Sequence, residues 1–164
     1  MLILGIDPGI GRCGFGLVSS IGSKLKAIGF GCIETSAKKS SPERLLEIDK
    51  EVGRLINKNK PDVLAIEDLF FGVNSKTAFL VGQARGVILL SAAKSNIPVK
   101  VYTPLQVKMA LTGYGRADKN QIAQMVKVVL GLEKIPKLDD TTDALAIAVT
   151  HAFSSKLENI ISNN

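Results

Sequence analysis

The sequence predicts one α/β domain with a mixed five-stranded sheet flanked by helices on both faces. The chain has 164 residues, which is about the size of a single domain. Its first part holds three apolar segments separated by turn residues, a pattern typical of antiparallel hairpins. Further along, strand-length and helix-length segments alternate, as expected for parallel strands joined by crossovers.

The predicted elements follow from apolar periodicity and from residues that begin or end helices. The predicted strands lie at 2–7, 14–20, 27–35, 62–67 and 98–103. The first predicted helix follows Ser40 and stops before Pro61, because Ser40 and Glu43 have the spacing of a capping box. The other predicted helices lie at about 75–94, 104–111, 118–130 and 140–156. We predict a single domain at 1–156 and a frayed polar tail at 157–164.

Composition and charge narrow the class of protein only moderately. The net charge is +6 and the pI is near 9.4, a balance that suits a polyanionic partner. No apolar segment is long enough for a membrane span, so we expect no membrane association. Asp7 interrupts the apolar start too early for a signal peptide, which predicts a cytoplasmic protein. Cys13 and Cys32 are then expected to be buried thiols rather than a disulfide or zinc ligands.

A glycine motif near the start imitates a dinucleotide-binding fingerprint. Gly9, Gly11 and Gly14 have the spacing G-x-G-x-x-G after a strand. The fingerprint requires a helix after the third glycine, because the helix N-terminus holds the pyrophosphate. Here the residues after Gly14 have strand character, so we reject a dinucleotide site. The glycines suit a hairpin whose backbone can approach a ligand closely.

Acidic residues carry the chemistry that the sequence predicts. Asp7 and Glu67 each end an apolar strand. If these strands are parallel neighbours, both carboxylates lie at the same carboxyl edge of the sheet, where open α/β sheets bind ligands. At the start of the last helix, either Asp140 with Asp143 or Asp139 with Asp143 shares a helix face.

Carboxylates that converge without bases repel one another and are costly to bury. A hard divalent cation offsets that cost, and magnesium prefers oxygen ligands. Two such ions on one phosphate can activate water and stabilise the leaving oxygen. The alternative is that these acids only cap turns and the last helix.

The chain resembles the RuvC family of bacterial Holliday junction resolvases over nearly its whole length. The matching segments are GIDPG at 5–9, EDLF at 67–70, NSKTAFLVGQARG at 74–86, QVK at 106–108, GYGRADKNQ at 113–121 and DTTDALAIAVTH at 140–151. The resemblance implies a ribonuclease H-like fold, a homodimer and paired symmetric nicks across a four-way DNA junction. It also implies two Mg²⁺ ions per active site, for which Mn²⁺ can substitute, and a RuvA–RuvB branch-migration complex as partner.

The resemblance also assigns roles to individual residues. The D-x-x-D motif of the family falls on Asp140 and Asp143, so the implied catalytic and metal-binding set is Asp7, Glu67, Asp140 and Asp143. Asp139 is an extra neighbour to which we assign no role.

Four further residues are predicted to contact DNA. Phe70 matches the junction-inserting aromatic of the family, and a loop aromatic beside a nuclease centre can stack on unpaired bases. The alternative is that Phe70, like Phe71, belongs to the core. Lys108 and Lys119 match basic residues of the family near the scissile strand. Arg116 lies with Lys119 in a glycine-containing basic segment before a helix start, a suitable place for phosphate contacts.

The helix at 75–94 is predicted to form a homodimer interface. Arg85 is the only charged residue from Thr77 to Ala93, so this helix has almost no polar face for solvent. Gly82 and Gly86 would permit close contact with a second helix. The alternative is that the helix at 140–156 covers this side within the same chain.

His151 lies two turns beyond Asp143, and we expect it to have a structural role.

Two other classes of protein remain as alternatives. Actin-like and sugar-kinase ATPases also open with a strand ending in D-x-G, but they need two such domains. A non-catalytic nucleic-acid-binding module could use the same fold, and it would need no metal.

Overall fold

The computed structural model describes residues 1–68 and 75–162, which form ten elements of regular structure. The strands are β1 (Leu2–Asp7), β2 (Arg12–Ile21), β3 (Lys24–Glu34), β4 (Val63–Glu67) and β5 (Val99–Tyr102). The helices are α1 (Ser41–Asn59), α2 (Ser75–Lys94), α3 (Pro104–Thr112), α4 (Lys119–Leu130) and α5 (Asp139–Ser162). The predicted elements are therefore all present in the predicted order.

The sheet is mixed, and its strand order is β3-β2-β1-β4-β5. β1 pairs antiparallel with β2, and β2 pairs antiparallel with β3. β1 pairs in parallel with β4, and β4 pairs in parallel with β5. The early strands can be antiparallel because tight turns join them, whereas the later strands are joined through helices. This topology confirms the predicted α/β class.

Helices cover both faces of the sheet, and each face has its own apolar core. On one face, α1 and α2 pack on alternate residues of the central strands, including Leu4, Ile6 and Ile66. On the other face, α3, α4 and α5 pack on Ile3, Ala65 and their neighbours. The alternation of the two cores along β1 follows from the two-residue period of a strand.

Two glycines, Gly5 of β1 and Gly14 of the rejected fingerprint, let helix α5 approach the sheet closely. A Cβ atom on Gly5 would lie 2.2 Å from the backbone oxygen of Ala144, and one on Gly14 would lie 1.9 Å from that of Asp140. Gly14 lies inside strand β2, so the strand character predicted after the third glycine is confirmed, and no helix begins there as the fingerprint requires. The expectation of a backbone close to a ligand is wrong for Gly14, because a helix of the same chain occupies that space.

Several boundaries differ from those that the sequence predicts. Strand β3 begins earlier than predicted, because its pairing with β2 continues to the turn at Gly22, and β2 begins earlier because Arg12 still pairs with Glu34 at the other end of the ladder. Helix α5 continues to Ser162, beyond the predicted end at 156, and no proline or glycine interrupts it. Cys13 is buried as expected, whereas Cys32 is only half-buried, and both are free thiols. No helix in the described part of the chain is long and apolar enough to cross a membrane.

Candidate active site

The first two acids lie side by side at the carboxyl edge of the sheet. Asp7 is the last residue of β1 and Glu67 is the last residue of β4. The two strands are parallel neighbours, with Ile6 paired to Ile66 just before the acids. The predicted juxtaposition of Asp7 and Glu67 is therefore present. It places both carboxylates where open α/β sheets bind ligands.

The other acids reach this edge because helix α5 begins there. Asp139 and Asp140 are the first two residues of α5, so they lie in its first turn and are not its N-cap. Asp7 pairs with Gly14 across the β1–β2 ladder, and the absent side chain of Gly14 leaves room for the backbone of Asp140. Asp143 follows one turn later. The packing of α5 on β2 thus brings the D-x-x-D pair beside Asp7.

The acids of the cluster raise one another's pKa values, in addition to the effect of burial. Burial raises the pKa of Asp7 to about 8, with further increases from Asp143, Glu67 and Asp140. Burial and the nearby Asp143 also raise the pKa of Glu67. Burial likewise raises the pKa of Asp143, although Lys119 opposes this change. Burial and mutual repulsion therefore oppose the charged forms of these acids, and a shared cation would offset that cost.

Two basic side chains contact the acids directly. The Lys119 ammonium lies 3.5 Å from Oδ2 of Asp143 and 3.8 Å from Oδ2 of Asp139, and Asp143 raises the pKa of Lys119. Arg12 Nε lies 3.2 Å from Oδ2 of Asp140. That oxygen is buried and has no hydrogen-bond partner, so the Arg12–Asp140 ion pair lacks a directed hydrogen bond.

Both predicted lysines line a cavity beside the acids. The cavity has a volume of about 330 Å³, and Glu67, Asp143, Lys108 and Lys119 contribute to its wall. Helix α4 begins at this wall, where Gln121 N–H donates to the Asp118 side chain, as the predicted capping box requires. Carboxylates and ammonium groups therefore share one concave surface.

Two arginines near the site were not among the predicted site residues. Arg12 begins β2, and its contact with Asp140 depends on the packing of α5, which no local pattern reveals. Arg85 of α2 donates from Nε to the backbone oxygen of Glu67 at 3.3 Å and forms an ion pair with Asp68. The sequence does contain a signal for Arg85, because this residue is the lone charge in an otherwise uncharged part of α2.

The remaining predicted residues have separate positions. Phe70 and Phe71 lie outside the described residues, so the DNA role of Phe70 stays a prediction. Arg116 is exposed in the segment between α3 and α4. His151 is buried, and its Nδ1 shares a 2.7 Å hydrogen bond with the Tyr102 hydroxyl, which agrees with a structural role.

The four predicted ligands have oxygen donor atoms, which suit a hard divalent cation. All four predicted ligands are carboxylates, and one of them has a buried oxygen without a hydrogen bond. Within residues 1–68 and 75–162, however, no three acid, histidine or cysteine side chains are positioned to hold one metal ion together as they stand. Two of the four acids have basic partners instead, since Asp140 pairs with Arg12 and Asp143 pairs with Lys119. A cation held at this site would therefore compete with Arg12 for Asp140 and with Lys119 for Asp143.

Comparison with known proteins identifies the class of enzyme. The solved structure described as Thermus thermophilus RuvC in complex with Holliday junction substrate superposes with a TM-score of 0.92 at 37% identity. The match covers 96% of each chain. The protein is thus an endonuclease with the ribonuclease H-like fold.

Sequence comparison identifies the family. The family model described as crossover junction endodeoxyribonuclease RuvC matches residues 3–151. The chain is 54% identical over 159 residues to the protein of that name from Desulfitobacterium hafniense, covering 97% of this chain and 96% of the relative. It is 53% identical to the one from Alkaliphilus oremlandii, with 94% of each chain covered. The chain belongs to the RuvC family of crossover junction endodeoxyribonucleases.

Proposed function

We propose that this protein binds four-way DNA junctions and resolves them by metal-assisted hydrolysis of phosphodiester bonds, with paired symmetric nicks. Membership of the RuvC family supports the junction as substrate. Hydrolysis of this kind serves homologous recombination and DNA repair. Membership also removes the ATPase alternative, which requires a second domain of the same kind.

The observation that carries the proposed metal dependence is the raised pKa of Asp7. A carboxyl group held at a pKa of about 8 among three other acids is poorly suited to act alone at neutral pH. A divalent cation would stabilise its charged form and would give the buried Asp140 oxygen, which has an ion pair but no hydrogen bond, a direct ligand bond. We propose Asp7, Glu67, Asp140 and Asp143 as the residues that hold it.

The proposed chemistry divides between the cations and the chain. Two Mg²⁺ ions, or Mn²⁺ in their place, would supply an activated water and stabilisation of the leaving oxygen. The four carboxylates hold and orient that centre. Lys108 and Lys119 attract the DNA backbone to the cavity wall and neutralise phosphate charge close to the cut. Phe70 and Arg116 are proposed as further DNA contacts.

A cleavage assay on a synthetic four-way junction tests this proposal. With excess Mg²⁺ we expect two symmetric nicks, and with a chelator we expect none. A linear duplex of the same sequence should remain uncut, which controls for unselective nuclease activity. Asp143→Asn should abolish nicking but leave junction binding intact. Cleavage that continues in the chelator would reject the metal, and binding without any cleavage would favour the non-catalytic module.

We further propose a homodimer formed through α2. From Ala78 to Ala93 the exposed residues of α2 are Phe79, Gly86, Leu90 and Ala93, which are all apolar or without a side chain, and the exposed Lys94 follows at the end of the helix. A Cβ atom added to Gly86 would have no neighbouring atom of the described chain within 4 Å, so this side of the helix is open. The alternative cover, helix α5, packs on the opposite face of the sheet. A two-fold dimer would also match the two-fold symmetry of the junction.

Light scattering at micromolar concentration tests the dimer. The wild type should have the mass of two chains, and Leu90→Lys should shift the protein to one chain without loss of secondary structure. Ile28→Lys introduces the same charge at an exposed apolar residue of β3, and it should leave the mass unchanged. A wild-type monomer that still makes paired nicks would contradict this interface. Docking to a RuvA–RuvB complex and a cytoplasmic location are proposed from family membership alone.

A further inference from the structure

Asp139 has no place in the proposed metal site, yet it contacts a residue of the DNA-binding wall. The Lys119 ammonium lies between two carboxylates, 3.5 Å from Asp143 and 3.8 Å from Asp139. The two carboxylates differ in their surroundings: the side chain of Asp143 is 34% exposed, whereas that of Asp139 is 78% exposed. Lys119 thus has one partner inside the acid cluster and one at its rim.

Asp143, the less exposed partner, is not always free to pair with Lys119. If Asp143 binds a cation, as proposed above, its charge is shared with that cation and its attraction for an ammonium group weakens. Lys119 begins helix α4, and its backbone stays in place because the Asp118–Gln121 capping box holds that helix start. Only the side chain needs to move, and Asp139 is the carboxylate already within reach.

We propose that Asp139 is a positioning residue that retains the Lys119 ammonium at the edge of the active site when a cation occupies Asp143. This inference rests on the proposed metal-dependent function. Asp139 makes Lys119 easier to displace from Asp143, and it keeps the ammonium close to the phosphate that is to be cut. In the absence of Asp139, Lys119 competes with the cation for Asp143 or moves freely in solvent.

A second role is possible for an acid in the first turn of a helix, where it interacts favourably with the helix dipole. That role does not involve Lys119. The two roles are therefore separated by a double-mutant cycle, in which Asp139→Asn is made with Lys119 present and again in Lys119→Met.

The first measurement is the Mg²⁺ dissociation constant of the DNA-free protein by titration calorimetry at about 0.15 M salt, where charges beyond about 8 Å are screened. Exposed ion pairs change an equilibrium by up to about five-fold. We expect Asp139→Asn to raise the dissociation constant by about two- to five-fold when Lys119 is present. In the Lys119→Met background the same change should have little further effect.

The second measurement is junction cleavage at saturating Mg²⁺. Asp139→Asn should lower kcat by about two- to five-fold with little change in KM, because an exposed ion pair is modest in strength. Asp139→Glu should restore kcat, since it returns the carboxylate. Glu133→Gln, which removes the same charge at another exposed residue, is the matched control and should behave as the wild type.

The outcomes separate this inference from the proposed function. Equal effects of Asp139→Asn in both backgrounds would mean a long-range charge or helix-dipole effect and would overturn the positioning role. A wild-type value for Asp139→Asn in both assays would overturn it as well. A wild-type protein that neither binds Mg²⁺ nor cuts junctions would overturn the proposed function, and this inference with it.

Discussion

Replacing Asp7 with asparagine should stabilise the metal-free protein at alkaline pH and abolish its activity. The folded protein raises the pKa of this carboxyl from 3.8 to about 8. Between these two values the unfolded chain has lost the proton and the folded chain keeps it. The folded state therefore binds more protons, and its stability falls as the pH rises through this interval.

The magnitude follows from the two pKa values. One pH unit corresponds to about 1.36 kcal/mol, so the interval from 3.8 to about 8 corresponds to roughly 6 kcal/mol of lost stability as an upper limit. Asparagine resembles the protonated acid in shape and never becomes charged. Asp7→Asn should therefore already exceed the wild type near pH 5, because the unfolded aspartate is ionised above its pKa of 3.8, and its advantage should widen by roughly 4 kcal/mol by about pH 9.

Urea unfolding in a chelator, at about pH 5 and about pH 9, measures this difference. Glu133→Gln, which removes an exposed charge elsewhere, should follow the wild type at both pH values. Excess Mg²⁺ at alkaline pH should raise the stability of the wild type and have a much smaller effect on Asp7→Asn. If the wild type and Asp7→Asn lost the same stability between the two pH values, the pKa of Asp7 would not be raised in the folded protein, and the stability argument would fail.

Four other predictions concern residues with different roles. Phe70→Ala should cut junctions slowly at an unchanged melting temperature; a loss of about 3–5 kcal/mol, typical of a truncated core phenylalanine, would place the ring in the core instead. Lys119→Ala should lower the salt slope of junction binding by roughly one unit in fluorescence anisotropy, and unchanged binding together with unchanged cleavage would refute the phosphate contact. Gly14→Ala should cost at least about 1–3 kcal/mol in urea unfolding, because its Cβ would lie 1.9 Å from a backbone oxygen at the start of α5; a neutral result would show that the helix moves easily. Tyr102→Phe should cost about 1–3 kcal/mol by leaving buried His151 without its partner, and a variant as stable as the wild type would mean that this bond contributes nothing.

The carboxylates at the strand ends illustrate what could be predicted from local pattern. Asp7 and Glu67 each follow a short apolar segment, and parallel neighbouring strands end at one edge of a sheet. The helix starts at Ser40 and Asp118 were also predictable, because a capping box uses residues only three positions apart. Such features depend on residues that are close in the sequence, so they can be predicted without knowledge of the tertiary packing.

The contacts of the basic residues illustrate what local pattern could not predict. Arg12 meets Asp140 because α5 packs on β2 at Gly14, and Lys119 meets Asp139 and Asp143 because α4 packs beside α5. The sequence left open which aspartates share the site, and the family resemblance chose Asp140 and Asp143. The role of Asp139 remained unassigned until its distance from Lys119 was known.

By itself, the sequence determined the α/β class, the order of its elements, the acids at the strand ends and the family. Tertiary structure alone decided that Gly5 and Gly14 serve helix packing, that α5 lies on the face opposite α2, and that Arg12 and Arg85 belong near the site. The physical reason is the range of the interactions. Strand and helix periodicity and capping act between residues close in the chain, whereas ion pairs and close helix–sheet contacts join segments that only the folded backbone brings together.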